Sequence, residues 1–392
     1  MFVSSRRVSA SRVRDARTRG MDRARDDAWE RRRRACVRAL AAWLATSEGA
    51  KGALRLEWHS TEEDLRVDDD DDDSSRDVRI WARAEGYADV YVELMMRVCE
   101  ARREGGAMRR RRPFVMGVSA PQGCGKTTTT GVLVDMIRAT PRAWVCGGED
   151  VGDDDDDRED RVDGTLNATA LSIDDFYLRG EDQDALAAAK PANAMLRHRG
   201  NAGTHDLELG RRTLDALARI NDDEANQASS VRVPRYDKTA RQGWGDRTPE
   251  DAWDVVSAPL DVVLLEGWML GFSPIDDDEA LININNDLVD VNAYLREYGP
   301  AWWSPGSVDW WVVFKVSDPS WVYAWRLEAE RKANGNKGLT DEQVKDFVDR
   351  FMPAYQAYLP KLYDAPPTPA YVIPVSKDRA FGRAATVDNK HN

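Results

Sequence analysis

The chain has 392 residues, 42% of them hydrophobic, and a formal net charge of −13. That length leads us to expect about two to three domains of roughly 150 residues, with enough apolar material for a sizeable core. No run approaches the roughly 20 consecutive apolar residues that span a bilayer, so we expect no membrane partner. An acidic chain also lacks the clustered Lys and Arg that nucleic-acid phosphates require, so we expect no nucleic-acid partner. Much of the negative charge sits in two aspartate runs, 68–73 and 153–157. Such runs repel themselves and read as solvated loops or insertions, and neither has the ligand spacing of an EF-hand.

Residues 1–20 are rich in Arg and Ser and nearly free of acids. That is the composition of an organelle transit peptide, the other reading being a disordered basic tail, and we assign it to residues 1–34. Residues 35–46 form an amphipathic helical stretch with Val37, Leu40, Trp43 and Leu44 on one side. After the first aspartate run, 78–102 is helical again, with Ile80, Trp81, Val90, Val92, Leu94 and Met95 as packing residues. These helices and their acidic linker make an N-terminal extension, 35–108. The main domain is expected over 109–380, entered through the basic run 109–112, with a flexible tail over 381–392.

The run Phe114, Val115, Met116, Gly117, Val118 suits a buried parallel strand. It leads into S-A-P-Q-G-C-G-K-T-T and then a helix with Val132, Leu133, Met136 and Ile137 on one side. Strand, small-residue loop and helix are the context of a phosphate-binding loop. The loop Ala120, Pro121, Gln122, Gly123, Cys124, Gly125, Lys126, Thr127 and Thr128 would turn its N–H groups to ATP, helped by the positive end of the helix. Lys126 would reach the β- and γ-phosphates, and the Thr127 hydroxyl would ligate Mg²⁺. Ala120 stands where the motif expects Gly, which is tolerable at negative φ.

Residues 143–146 read as a strand end, 166–173 as a strand, 206–220 as a helix, and 260–265 and 310–316 as central strands. Thr340 to Gln343 has capping-box spacing and opens a helix with Val344, Phe347, Val348 and Phe351 at i, i+3, i+4, i+7. Residues 371–375 make a last strand. Strands alternating with helices predict an α/β fold, a parallel sheet covered by helices on both faces.

Ligands of such sheets bind beyond the carboxyl ends of the strands. Asp174 and Asp175 lie at one such end, followed by Tyr177. One carboxylate would accept the proton of an attacking hydroxyl, and the other would cap the next turn. Glu266 follows another apolar strand and is a candidate for Mg²⁺ or its water. Two polar segments, 199–206 and 233–247, suit an anionic substrate. From them come His205, Arg235, Tyr236, Lys238 and Arg247, while Asn201, Thr204 and Asp206 read equally as helix caps. Arg326 lies on a cation-bearing helix before a Gly-rich loop, 335–338, as a mobile lid would require; surface charge pairing is the other reading. Cys36, Cys99, Cys124 and Cys146 are scattered, with neither zinc nor disulfide spacing. Cys124, inside the loop, is either open to oxidation or simply a small residue that fits.

The segments S-A-P-Q-G-C-G-K-T-T, L-S-I-D-D-F-Y-L, R-G-N-A-G-T-H-D-L, P-R-Y-D-K-T-A-R-Q-G-W-G-D-R, L-L-E-G-W-M-L-G-F and D-P-S-W-V-Y-A-W-R-L-E-A-E occur here in that order. Together they resemble the plant-type D-glycerate 3-kinase family, P-loop kinases related to uridine kinases, phosphoribulokinases and pantothenate kinases. The resemblance implies a P-loop kinase core preceded by N-terminal helices. It also implies ATP and Mg²⁺ as cofactors, D-glycerate as the phosphoryl acceptor, and a photorespiratory role in the chloroplast, with mitochondrion or cytoplasm as alternatives. We expect a monomer. It implies catalytic roles for Lys126, Asp174 and Arg326, with Asp174 as base because it aligns with the single Asp of uridine-kinase-like enzymes. Departures are Thr204 where Ser is usual, the aspartate insertion near Asp153 and the divergent N-terminus.

Overall fold

The computed structural model describes residues 34, 78–104, 111–142, 164–222, 229–334 and 340–388. The helix expected at 35–46, both aspartate runs, the strand end at 143–146 and the Gly-rich loop 335–338 lie outside the described residues. The chain divides into two compact units, Met1–Met96 and Arg97–Asn392. The first contains most of helix α1 (Val78–Glu104), where Ala84, Ala88, Tyr91 and Met95 recur at helical spacing and are fully buried. Among the described residues no helix is long and apolar enough to cross a membrane.

The second unit runs β1 (Phe114–Ser119), α2 (Lys126–Arg138), β2 (Ala168–Ser172), α3 (Gly180–Ala189), α4 (Leu207–Ala218), β3 (Ser230–Val233), β4 (Tyr236–Asp237), β5 (Asp246–Arg247), β6 (Asp254–Ser257) and β7 (Val262–Gly267). It continues with α5 (Asp278–Ile284), α6 (Leu288–Trp302), β8 (Trp310–Val316), α7 (Trp321–Asn334), α8 (Asp341–Asp349), α9 (Met352–Asp364), β9 (Ala370–Val375) and β10 (Ala385–Val387). The main sheet has the order β10-β9-β8-β1-β7-β2. Every pairing in it is parallel except β10 on β9. β1 and β7 are buried along their whole length. Their unbroken apolar runs form central strands because both faces of a parallel sheet are covered, and each buried Val or Leu contributes about 1.5–3 kcal/mol. Two small antiparallel pairs, β3–β6 and β4–β5, lie outside the main sheet.

Three boundaries differ from the sequence reading for physical reasons. β7 starts at Val262, because Asp261 leaves the strand's apolar pattern and buries its carboxylate in a charged cluster. Arg142 donates to it at 2.6 and 2.9 Å and Asn167 N at 2.7 Å, so the buried charge is paired. Glu266 sits inside β7 rather than after it. The stretch from 381, expected to be a flexible tail, instead adds β10, which pairs Ala385 with Val372 and Val387 with Ala370 and covers the edge of β9. The sequence reading also has no counterpart to α6, where Leu288, Val291, Leu295, Tyr298 and Trp302 are buried at helical spacing. Pro300 argues against a helix by propensity, but it falls in the last turn, where little helix remains to be broken. The capping box at Thr340 forms as read, with Thr340 N on Gln343 Oε1 at 2.9 Å and Gln343 N on Thr340 Oγ1 at 3.3 Å.

Candidate active site

Sheet register gathers the site. Val118 and Ser172 both pair with Glu266, and Ser119 pairs with Gly267. The chain therefore leaves β1 for the loop 120–125 and β2 for the turn bearing Asp174 at one edge, with Glu266 between them.

The loop's polar groups can be accounted for one by one. Ala120 N donates to Gly267 O at 3.3 Å, Gln122 N to Tyr355 Oη at 3.0 Å and Cys124 N to Pro121 O at 3.3 Å. Among the described residues the N–H groups of Gly123 and Gly125 have no such partner, and the first turn of α2 adds the unpaired donors of Lys126, Thr127 and Thr128. Five donors at the positive end of a helix form an anion cradle. Gly123 has φ 75°, and a Cβ there would come within 2.6 Å of Trp325 Cβ, so only Gly fits. Ala120 is not among the residues with positive φ, which explains why its methyl group is accepted.

Thr127 Oγ1 donates to Glu266 Oε1 at 2.9 Å, and Lys126 Nζ lies 3.8 Å from Glu266 Oε2. Glu266 is 4% exposed, and its Oε2 accepts no hydrogen bond. An orphaned carboxylate oxygen beside a hydroxyl at a phosphate cradle fits Mg²⁺, which takes one or two protein oxygens and fills its octahedron with phosphate and water. Among the described residues no group of three acidic, His or Cys side chains could hold a metal, and Mg²⁺ needs none.

The turn after β2 opens with Ser172 Oγ accepting from Asp174 N at 3.3 Å. Asp174 accepts from Tyr177 Oη at 2.8 Å and Lys238 Nζ at 2.5 Å. Burial alone would push its carboxyl up, but the charges of Lys238 and Lys126, with both hydrogen bonds, hold it below the usual carboxylate range. Asp175 accepts from Arg235 Nη1 at 2.7 Å and Tyr236 N at 3.3 Å. Burial nevertheless leaves its carboxyl raised, aided by the neighbouring charge of Asp174. The two carboxyl groups are therefore shifted in opposite directions, Asp174 down beside the cradle and Asp175 up.

The remaining candidates divide between open and committed groups. The Arg235 guanidinium is taken up by Asp175 on one side and by Asp254 at 2.6 and 2.9 Å on the other. The Arg247 side chain is 7% exposed and donates to Tyr177 O at 2.9 Å, 3.1 Å from Asp206. Both arginines hold the site's walls together. Lys238 gives one of its three donors to Asp174, and its side chain is 56% exposed. Tyr236 packs edge-on to Tyr177 at 5.3 Å. His205 lies 4.5 Å from the Tyr177 ring, and its Nδ1 is 2.8 Å from Tyr298 Oη. Tyr298 Oη also accepts from Gly203 N, and His205 Nε2 is buried with no hydrogen-bond partner. Burial pushes that imidazole down to about 3, so His205 is neutral. Asp206 caps α4 through Leu209 N, Thr204 binds backbone inside its own turn, and the Asn201 amide donates to Met195 O at 3.1 Å and Arg350 O at 3.2 Å. Arg326 lies 4.8 Å over the Phe347 ring and 3.6 Å from Glu330, so α7 and α8 engage it rather than the cradle.

Several organising residues escape sequence reading. Tyr355 holds the Gln122 amide, and Trp325 fills the space beside Gly123. Arg199 reaches the carbonyls of Lys238, Gly243 and Trp244, tying the two polar segments together. Each partner is far away along the chain, and nothing local marks it.

Cys124 is buried, and burial pushes its thiol up to about 12 against the pull of Lys126 and Arg379. It is the small residue that fits the loop. Native protein treated with iodoacetamide near pH 8 is expected to keep Cys124 unmodified, since the thiolate is the nucleophile. Peptide mass mapping that finds Cys124 alkylated before unfolding would refute this.

No protein-family model matches the chain. It is 42% identical over 258 residues to the chloroplastic D-glycerate 3-kinase of Arabidopsis thaliana, an alignment covering 65% of this chain and 50% of that protein. It thus spans half the length of that relative. To an uncharacterised kinase of Schizosaccharomyces pombe it is 34% identical over 259 residues, 63% of this chain and 82% of that one. Among solved structures, a D-glycerate 3-kinase from Cryptococcus neoformans superposes with a TM-score of 0.62 at 28% identity, covering 77% of this chain and 99% of that one. Cradle, strand-end carboxylates and these likenesses agree: the chain belongs to one family of P-loop kinases with the Schizosaccharomyces pombe kinase and is similar to D-glycerate 3-kinases.

Proposed function

We propose that this protein transfers the γ-phosphoryl of ATP to the 3-hydroxyl of D-glycerate, giving 3-phosphoglycerate and ADP. The observation that carries the reading is the Asp174–Lys238 pair beside Lys126. A hydroxy acid brings a hydroxyl that needs a base and a carboxylate that needs a cation. Asp174 supplies the first, and the two spare donors of Lys238 supply the second. His205, Tyr177 and Tyr236 line the acceptor side; Arg235 and Arg247 fix its geometry. The loop 120–128 holds ATP, and Mg²⁺, held by Thr127 with Glu266, would neutralise phosphate charge. Arg326 would serve from α7 once released from Phe347. The names of the Arabidopsis and Cryptococcus relatives support glycerate as acceptor.

An ADP-release assay across hydroxy acids, nucleosides and pantothenate tests the reading. Stimulation by D-glycerate alone is expected. Stimulation by a nucleoside or pantothenate instead would name another acceptor, and stimulation by none would leave an ATP-binding module.

We further infer import into the chloroplast and a photorespiratory role, with cleavage somewhere before the helix expected at 35–46. The support is the Arg/Ser-rich start and the chloroplastic name of the Arabidopsis relative. The protein recovered from the plastid should lack Met1 to about Gly20 by mass. A full-length protein confined to the cytosol would refute it.

A further inference from the structure

The turn after β9 closes on itself: Arg379 N donates to Ser376 O at 2.9 Å and Ser376 N to Ala380 O at 3.0 Å. Arg379 holds φ 61° there, a left-handed conformation that a non-Gly residue keeps only where its surroundings fix it. Its guanidinium reaches the phosphate loop. Nε donates to the carbonyl of Gly123 at 2.8 Å, and Nη1 pairs with Glu328 at 2.7 Å. The guanidinium carbon lies 5.5 Å from the centre of the Trp325 ring. Trp325 in turn donates its indole N–H to Lys377 O at 2.7 Å while its own Cβ packs on Gly123.

The peptide joining Gly123 to Cys124 is therefore fixed at both ends. Its N–H is on Pro121 O at 3.3 Å, and its carbonyl is on Arg379. Gly123 is exposed and free to rotate in a way no other residue type is. Were this peptide to turn over, a carbonyl oxygen would face the phosphates where the cradle needs donors.

We propose that Arg379 is a positioning residue of the nucleotide site. It holds the Gly123 carbonyl away from the phosphates, so that the N–H groups of Gly123 and Gly125 stay turned toward them. Through Trp325 and Glu328 the same clamp fixes the register of α7 against the loop. The proposal rests on the loop being the ATP site, and its test reads nucleotide binding apart from the acceptor.

The experiment is calorimetric titration of the full chain with Mg·ADP, together with steady-state kinetics and thermal melting. Arg379→Ala is expected to weaken ADP and raise KM for ATP about tenfold, as loss of a hydrogen bond from a charged group does, with KM for the acceptor and the melting temperature little changed. Arg379→Lys keeps the charge without the planar fork and should recover part of the loss. Unchanged ADP affinity in Arg379→Ala overturns the proposal, as does an equal loss for ADP and acceptor. Should Arg379→Ala fail to fold, Arg379→Lys and Glu328→Gln decide: ADP affinity equal to the parent in both also overturns it. If the acceptor is not glycerate, the ADP titration is unaffected.

Discussion

Lys126→Ala is expected to yield a folded protein whose kcat is lower by about 10²–10³, the usual cost of removing one preorganised charge-stabilising group. The side chain is 13% exposed and its ammonium lies 3.8 Å from Glu266 Oε2, so it is already placed where negative charge spreads in phosphoryl transfer. Folding should survive, because Thr127 still bonds Glu266 at 2.9 Å and the cradle's backbone is fixed by Gly267, Tyr355 and Pro121. A second readout accompanies the first. Lys126 is one of the two cations that hold the Asp174 carboxyl below its ordinary range. A depressed carboxyl is ionised, and adds stability, above its unfolded value, and both are lost as pH falls through the folded value. Removing Lys126 raises that folded value, so the acid limb of the residual activity should move to higher pH. Near-normal turnover at neutral pH would mean that the loop does not hold the reacting nucleotide.

Asp174→Asn is expected to lower kcat by about 10²–10⁴, the range for loss of a general base, while ADP still binds. The amide keeps the shape and can still accept from Tyr177, but it cannot take a proton from the acceptor hydroxyl. It also leaves Lys238 without its counter-ion beside the cradle. Asp175→Asn should cost less turnover, because Asp175 spends its oxygens on Arg235 and the Tyr236 amide. Its expected penalty is structural and no more than about 1–3 kcal/mol, because Arg235 keeps Asp254 as a partner, and it is read as a lower urea midpoint. If Asp175→Asn is the more damaging change to kcat, the two roles are exchanged.

The parts of the site that the sequence made legible share one property: their signals are local. The loop 120–128 carries its Gly and Lys spacing within one short segment, and Asp174 and Glu266 follow from apolar runs that end in acids. What local spacing could not reveal is which charges are already spent. Arg235, Lys238 and Arg247 look alike in one segment, yet Asp254 and Asp175 occupy the first, and Asp206 and the Tyr177 carbonyl occupy the third. Arg326 was read from its helix and neighbours, whereas Phe347 from another helix decides where it rests. Tyr355 and Arg379 meet the loop across 233 and 256 residues of chain, and no periodicity encodes such a meeting.

The order of strands has a consequence for how the protein comes into being. β1, which carries the phosphate loop, is made early, but its two sheet neighbours are β7 and β8. Roughly 200 further residues must leave the ribosome before β8 is complete, about 10–40 s at 5–20 residues per second. Until β7 emerges, roughly 150 residues after β1, a largely apolar strand has no permanent partner on either side, and one edge stays open until β8 follows, inviting association with other chains. Nascent protein should therefore depend on chaperones until the region around residue 316 emerges, and nucleotide can assist folding only near the end of synthesis.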